Sequence, residues 1–263
     1  MSTVLRTQDL RREFGDVVAV DGVSLTFDDA EITSIIGPNG AGKTTFYNML
    51  TGVLSPTAGT IEIASDGGYT DITDEPAHVI AQKGLTRSYQ ITNIFERLTV
   101  LENLAIARIS RLGRTMNISS AAMTDAEITA RFDELLEMTE LTPFADQRCD
   151  ELSHGQKRNV EIALALAIEP SILLMDEPTA GMNPTEVRAV VDLIRELDAN
   201  LETCFIVTEH NMDVVTDISD RIVVLDRGAV LADGTPSEVL EDDAVTSAYL
   251  GEMGADGHIG GIS

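Results

Sequence analysis

Short apolar runs alternate with amphipathic stretches along the last third of the chain, the rhythm of β–α–β units with a parallel sheet. Ile172 to Met175 is continuously apolar, as a strand buried on both faces requires. Asn183-Pro184-Thr185-Glu186 has the form of a helix cap and predicts a helix through about Leu197. Phe205 to Val207 reads as a strand, Met212 to Ile218 as a short helix and Ile222 to Leu225 as a strand. Thr235-Pro236-Ser237-Glu238 opens a last helix with Pro at its first position. Beyond Gly251 the Gly-rich tail is expected to fray.

The first third has a different texture. Val17 to Val20 and Val23 to Phe27 read as two short strands around an Asp21-Gly22 turn. Glu31 to Ile36 is a third strand, followed by a Gly-rich loop and a helix from about Lys43 to Leu50. Thr60 to Ala64 is a further strand, with a turn-rich Ser65 to Tyr69 after it. The middle, 91–168, turns helical. Capping-box patterns stand at Thr99 to Glu102, at Thr124 to Glu127 and at Ser153 to Gln156. The second precedes an amphipathic stripe of Ile128, Phe132, Leu135, Leu136 and Met138, and the third an apolar helix to Ile168, while Arg108 to Thr124 reads as loop.

The 263 residues suffice for one large α/β domain or two small ones, and no internal repeat or long linker divides them. Asp and Glu number 44 against 18 Lys and Arg, a net charge of −26. A nucleic-acid partner is therefore excluded as a first reading, because phosphate backbones are met by net positive charge. The only lysines are Lys43, Lys83 and Lys157. So acidic and lysine-poor a surface repels itself at low salt and is tolerated best where salt screens it, a halophile-like pattern; an acidic solubility surface is the alternative. Cys149 and Cys204 stand far apart without metal-like spacing, which points to a reducing compartment. The N-terminus carries no signal-like apolar stretch. The longest clean apolar run, Ile162 to Ile168, falls well short of the roughly 18 residues of a spanning helix, so the chain is expected not to cross a membrane. His78, His154 and His258 form no ligand cluster.

Gly37-Pro38-Asn39-Gly40-Ala41-Gly42-Lys43-Thr44 fits the phosphate-loop pattern G-x-x-x-x-G-K-S/T at every fixed position, with a strand before it and a helix after. By composition alone such a match arises in roughly one chain in a hundred of this size, so a mere Gly-rich turn is a poor account of it. The glycines let backbone N–H groups converge on a phosphate, and the following helix points its positive end at the same place. Lys43 adds a mobile charge for the β- and γ-phosphates, the Thr44 hydroxyl can ligate Mg²⁺, and Thr45 beside it is a further candidate for binding the nucleotide. Asp176 and Glu177 end the apolar strand after Ser171. An acid there can hold Mg²⁺ and its neighbour can orient or deprotonate a water; alone, the same pair could simply meet solvent at a strand end.

With these residues in place the chain resembles the ATP-binding subunits of ABC transporters over nearly its whole length. The resemblance implies an α/β fold: a P-loop NTPase (RecA-like) core with an N-terminal antiparallel β subdomain and an inserted α-helical signature subdomain. The core and β subdomain would take 1–90 and 169–251, the helical subdomain 91–168, and 252–263 would be a flexible tail. Leu152-Ser153-His154-Gly155-Gln156 stands where the family carries Leu-Ser-Gly-Gly-Gln, departing at His154. The resemblance implies that this signature, Ser153 to Gln156, meets the γ-phosphate of ATP bound to a second subunit; independently, Ser153 reads as an N-cap, and a purely structural cap gives the same pattern. It implies further that Gln90 senses Mg²⁺ and links to the membrane subunit, that His210 is the switch histidine holding the water–Glu177 geometry, and that Phe14 stacks on adenine with Val20 beneath the base. Phe14 alone could equally be a hydrophobic anchor. Ala180-Gly181-Met182-Asn183 occupies the D-loop, where many relatives have Asp at the fourth position and where Asn183 doubles as a helix cap.

Within the family, Leu98 to Leu104, the extended 106–124 stretch, Ala180 to Pro184 and the ending Val245 to Gly251 resemble importer subunits for branched-chain amino acids. Leu-Ser-His-Gly-Gln is also similar to urea and short-amide importer subunits. The resemblance implies ATP and Mg²⁺ as cofactors, two transmembrane permease subunits, a second ATPase subunit (a copy or a paralogue), an extracytoplasmic solute-binding protein acting indirectly, and a peripheral place on the cytoplasmic face of the membrane. A soluble, non-transport ABC ATPase is the rival reading. Against it stand the single ATPase domain and the absence of a long coiled-coil insertion between P-loop and signature. No Asn-Lys-x-Asp guanine motif supports a GTPase.

Overall fold

Leu5, Thr7 and Leu10 of β1 (Thr3–Phe14) all point inward, a spacing of two and then three. Strict alternation would need Asp9 inside. Instead Asp9 takes a positive φ of 48° and its N–H turns to Ser24 Oγ at 2.8 Å. The resulting bulge hides the strand from a period-2 reading, and β1 has no counterpart among the elements the pattern predicts. The computed structural model describes residues 2–65, 67–88, 94–113 and 125–256, with 127 and 250–256 described by their backbone. Gln90, Thr124 and residues 257–263 therefore lie outside the described residues, as does most of the predicted 108–124 loop.

β1 pairs antiparallel with β2 (Val17–Asp28) and β4 (Ala58–Ser65), and β4 with β5 (Gly68–Asp71), in a sheet of order β2-β1-β4-β5. Two expectations change here. The turn-rich Ser65 to Tyr69 is the bend of the β4–β5 hairpin, with Ser65 opposite Gly68. Asp21-Gly22 is not a turn between two strands but a bulge within one. Leu10 faces Val23 while Arg12 faces Val20, so β2 carries one residue more than β1 across that stretch. Gly22 supplies a φ of 70°, and the Asp21 N–H leaves the ladder for Gly228 O at 2.8 Å.

The second sheet has the order β10-β9-β3-β8-β7-β6. Its strands are β3 (Ile32–Ile36), β6 (Leu85–Ser88), β7 (Ile172–Asp176), β8 (Cys204–Thr208), β9 (Arg221–Asp226) and β10 (Ala229–Gly234). All are parallel to their neighbours except β10, which pairs antiparallel with β9. Successive residues of one strand serve opposite cores. Leu173, Met175, Phe205 and Val207 face α3 (Val100–Arg111), α5 (Phe132–Met138), α6 (His154–Leu166) and α7 (Pro184–Asn200). Ile172, Leu174, Cys204 and Ile206 face α1 (Lys43–Leu50) and the antiparallel sheet, through Phe46, Tyr47, Leu5 and Phe27. A smaller cluster joins β9 to α8 (Met212–Ile218), α9 (Pro236–Leu240) and α10 (Asp243–Asp256). The short α2 (Ala77–Gln82), β6 and β10 were not legible from the apolar pattern.

Capping boxes form at Thr99, Ser153, Asn183 and Thr235, each with its side chain and the acid or amide three residues on satisfying two backbone N–H groups. The helix predicted after Thr124 is broken into α4 (Ala126–Thr129) and α5, with Arg131 non-helical between them. Ile128 and Phe132, on either side of the break, are both buried, and Arg131 within it reaches Glu134 and Glu169. The last helix predicted from Thr235 is instead two: α9 ends at Leu240, and a separate α10 runs from Asp243 to Asp256, past Gly251. Val245 and Tyr249, one turn apart, anchor it to the third cluster, and a helix once nucleated gains one bond per added residue. Both cysteines are free and buried, and burial pushes the Cys149 thiol up to about 11 and that of Cys204 higher still. Among the described residues no helix is long and apolar enough to cross a membrane.

Ile206 sits fully buried in the central strand β8. Ile206→Ala should lower the unfolding free energy by about 2–5 kcal/mol with little change in m-value, as read by urea denaturation.

Candidate phosphate-binding cleft

Three strand ends and two hairpins build one cleft. β3 runs out at Ile36 into the loop Gly37 to Gly42, and α1 starts at Lys43. The loop is pressed between two supports. Gly37 has φ 150°, and a Cβ there would lie 2.1 Å from Leu225 O at the end of β9. Gly42 has φ 102°, and its Cβ would lie 2.4 Å from Ala19 O in β2. Both contacts are with backbone, so neither position admits a side chain without moving a strand. Gly228, in the β9–β10 turn, donates to Ala41 O at 3.0 Å and closes the support from the far side. Lys43 Nζ folds back over the loop, 2.5 Å from Gly37 O and 3.0 Å from Pro38 O. The N-terminal end of α1 thus carries the partial positive charge of the helix and an ammonium group at one place.

The cleft, about 420 Å³, is lined by Phe14, Ala19, Asn39 to Thr45, Asp176, Glu177, Thr208 and His210. So the acid pair and the histidine, 33 residues apart from Glu177 to His210, share one cavity with a loop more than a hundred residues before them. Phe14 is 48% exposed and not a core anchor; the Arg12 guanidinium lies 4.7 Å from its ring centroid and donates to Ser55 O. Val20 departs from expectation. It is fully buried beneath Gly42 and does not line the cleft, because alternation along β2 turns Ala19 outward and Val20 into the core.

At the carboxyl ends of β7 and β8, Asp176 Oδ1 accepts from Thr208 Oγ1 at 2.6 Å and Oδ2 from Arg87. Arg87, buried over Tyr47, also donates to Asn48 Oδ1 at 2.8 Å. Burial, reinforced by nearby Asp176, pushes the Tyr47 hydroxyl well above its usual range. Glu177 takes a positive φ of 46°, rare for a non-glycine residue, and its N–H is held by Thr208 O at 2.9 Å and Thr208 Oγ1 at 3.3 Å. Its Oε1 lies 2.7 Å from His210 Nε2, the imidazole donating to the carboxylate. Glu209, buried beside it, accepts from Thr179. Arg87, Thr208 and Glu209 were missed by sequence reasoning: none sits in a fixed-spacing motif, and only the strand register reveals their partners.

Ser153 to Gln156 do not join this cleft. Ser153 caps α6, with Gln156 N–H donating to its Oγ at 3.3 Å and Gln156 Oε1 accepting from the Ser153 N–H at 2.8 Å. His154 instead lines a second cavity of about 370 Å³ with Lys157, Pro178, Ala180 and Met182. Glu177 lines both cavities. Asn183 caps α7, its Oδ1 accepting from the N–H groups of Thr185 and Glu186. Among the described residues no three His, Cys, Asp or Glu side chains gather as a metal cluster.

Residues 20–180 match the family described as ABC transporter, and residues 229–255 match the family described as branched-chain amino acid ATP-binding cassette transporter. The chain is 38% identical over 257 residues to the high-affinity branched-chain amino acid transport ATP-binding protein BraF of Pseudomonas aeruginosa, covering 95% of this chain and 98% of that protein. It is 35% identical over 252 residues to the lipopolysaccharide export system ATP-binding protein LptB of Haemophilus influenzae, covering 95% of this chain and 98% of that one. Among solved structures, the ADP conformation of MJ1267, an ATP-binding cassette of an ABC transporter, superposes with a TM-score of 0.84 at 32% identity, covering 95% of this chain and 100% of that one. With the P-loop cleft, the acid pair and the facing histidine in one fold, the chain belongs to the ABC transporter family, among its ATP-binding, ATP-hydrolysing subunits.

Proposed function

We propose that this ATPase drives uptake of branched-chain or other hydrophobic amino acids through two transmembrane permease subunits, from the cytoplasmic face of the membrane. The observation that carries the cargo is the C-terminal segment 229–255, whose match is to the branched-chain transporter family; likeness over the whole chain does not decide it, because an export relative is 35% identical over 252 residues. Import of urea or a short amide is the second reading, favoured by His154 in the signature. A solute-binding protein would deliver cargo to the permeases, and the ATPase itself would not touch it.

In the chemistry we infer, the loop 37–42 and Lys43 hold the phosphates of ATP, and Phe14 stacks on the base. Thr44 and Asp176 offer hard oxygen donors at the phosphate end of the cleft, a set that suits Mg²⁺, which keeps several waters and takes few protein ligands. When bound, Mg²⁺ neutralises charge developing on the phosphate oxygens. Gln90 is assigned beside it from the sequence. Glu177 orients the attacking water and takes its proton as the water oxygen bonds to the γ-phosphorus and the bond from that phosphorus to the ADP oxygen breaks. His210, bonded to Glu177 at 2.7 Å, holds that carboxylate in place. Ser153, His154, Gly155 and Gln156 complete the cleft of a second subunit, a copy or a paralogue, because within one chain they face elsewhere. Closing two such subunits head to tail would move the permeases, with 91–168 as the coupling subdomain. The net charge of −26 supports a protein adapted to high salt, where its self-repulsion is screened.

Glu177→Gln should lower kcat by about 10²–10⁴-fold while leaving the Kd for ATP within a few-fold of wild type, as measured by phosphate release and nucleotide titration; near-normal turnover would remove Glu177 as the base. A chromosomal Lys43→Ala strain should lose labelled leucine uptake and keep labelled urea uptake; the reverse pattern would exchange the two cargo readings. Raising KCl from about 0.1 M to about 2 M should move the urea midpoint upward, since the Debye length shrinks from about 10 Å to below about 3 Å; a midpoint independent of KCl would discard the salt-adapted reading.

A further inference from the structure

Glu209 is a carboxylate only 4% exposed, one residue before His210, and it has no part in the chemistry above. Its Oε1 accepts from both the N–H (2.8 Å) and the hydroxyl (2.7 Å) of Thr179, itself buried, and its Oε2 accepts from the N–H of His210 at 3.2 Å. Thr179 lies two residues after Glu177. The chain therefore closes a ring: Glu177, Pro178 and Thr179 on one side, Glu209 and His210 on the other. Beyond the bonds of the Glu177 N–H to Thr208, side-chain contacts of Thr179 to Glu209 in the interior and of Glu177 to His210 at the cleft join the sides. The two differ in environment. The Glu177–His210 contact is part-exposed and open to competition from water, whereas the Thr179–Glu209 contact is buried, and a buried donor or acceptor that loses its partner has no solvent to replace it. The turn that leaves Glu177 also hangs from this anchor. Ala180 N–H donates to Glu177 O at 3.1 Å and Met182 N–H to Thr179 O at 3.3 Å. Glu177 holds a positive φ that this turn must sustain.

We propose that Glu209 is a positioning residue that locks the distance between Glu177 and His210 and ties it to the D-loop turn 179–182. The proposal rests on the ATPase reading for its kinetic consequence and on geometry alone for its structural one. The D-loop segment and the switch histidine then move as one body, so a displacement of Ala180 to Met182, which line the second cavity, is felt at the Glu177 carboxylate.

The test uses the full chain. Glu209→Gln keeps the shape but replaces one acceptor oxygen with an NH₂ group facing a donor. Thr179→Val removes only the hydroxyl bond and guards against a fold failure at position 209. Both variants are expected to bind ATP within about twofold of wild type and to lose about tenfold in kcat, with the double variant no slower than the slower single. In protein labelled with ¹⁵N-histidine, the His210 imidazole resonance should shift in both variants while that of His78, which lines neither cavity, stays. The proposal is overturned if kcat stays within about twofold of wild type in either folded variant, if the two losses multiply, or if His210 does not shift. Should the wild-type chain hydrolyse no ATP, the ATPase reading fails by itself, and the His210 shift alone decides the positioning role.

Discussion

Asp176 at the end of β7 stands opposite Thr208 at the end of β8 in a parallel register that begins at Ile172 and Cys204. Everything in the cleft depends on that register. It sets Thr208 Oγ1 on Asp176, brings the Glu177 N–H to Thr208 O, and places His210 two residues further on against Glu177. A slip of β8 by one residue would exchange its faces, sending Phe205 and Val207 toward α1 and Cys204 and Ile206 toward the helices. The two cores forbid it, because each is packed by alternate residues of the same strands. Site geometry is thus secured by hydrophobic burial in the interior and by few bonds at the cleft itself.

The parts of the fold legible in the sequence were those where local chemistry and burial agree. Lys43 to Leu50 and Met212 to Ile218 are helices over the residues predicted, and four capping patterns with described residues all form their reciprocal bonds. Ile172 to Met175 lies in a buried parallel strand because an unbroken apolar run admits little else beside a P-loop. What escaped was structure that breaks its own period. β1 and β2 are long strands whose bulges at Asp9 and at Asp21-Gly22 shift the inward face, so one looks patternless and the other looks like two. The amphipathic stripe from Ile128 to Met138 is periodic enough to read as one helix, yet Arg131 interrupts it to reach Glu169.

The candidate site divides along the same line. The loop 37–44 is legible from its fixed spacing, Asp176 and Glu177 from their place at the end of an apolar strand, and His210 from the family resemblance; Asn39 to Thr44, the acid pair and His210 line one cleft. Val20 was misplaced by a single step of strand alternation, with Ala19 taking the cleft position. Arg87, Thr208 and Glu209 are ordinary residues in sequence. Arg87 lies 89 positions from the Asp176 it pairs with, and Thr179 lies 30 from Glu209, separations no local window can bridge. Their identities make sense only once the parallel sheet has set the strand ends side by side.

One consequence follows from charge. The cleft gathers a helix N-terminus and Lys43 on a chain that carries −26 overall, so an anionic nucleotide approaches against the net field and is drawn in only at short range. Salt shortens the reach of the repulsion from many distant carboxylates more than it weakens contacts within the cleft, since the Debye length falls from about 10 Å at 0.1 M to about 3 Å at 1 M. The same screening bears on the proposed pairing of two ATPase subunits. A homodimer would bring two such charges together, and the Ser153 end of α6 would have to approach the partner's phosphates across that field. In the reading proposed above, high salt would favour nucleotide capture and subunit closure by one physical route, leaving the local positive features around Lys43 to supply the short-range attraction.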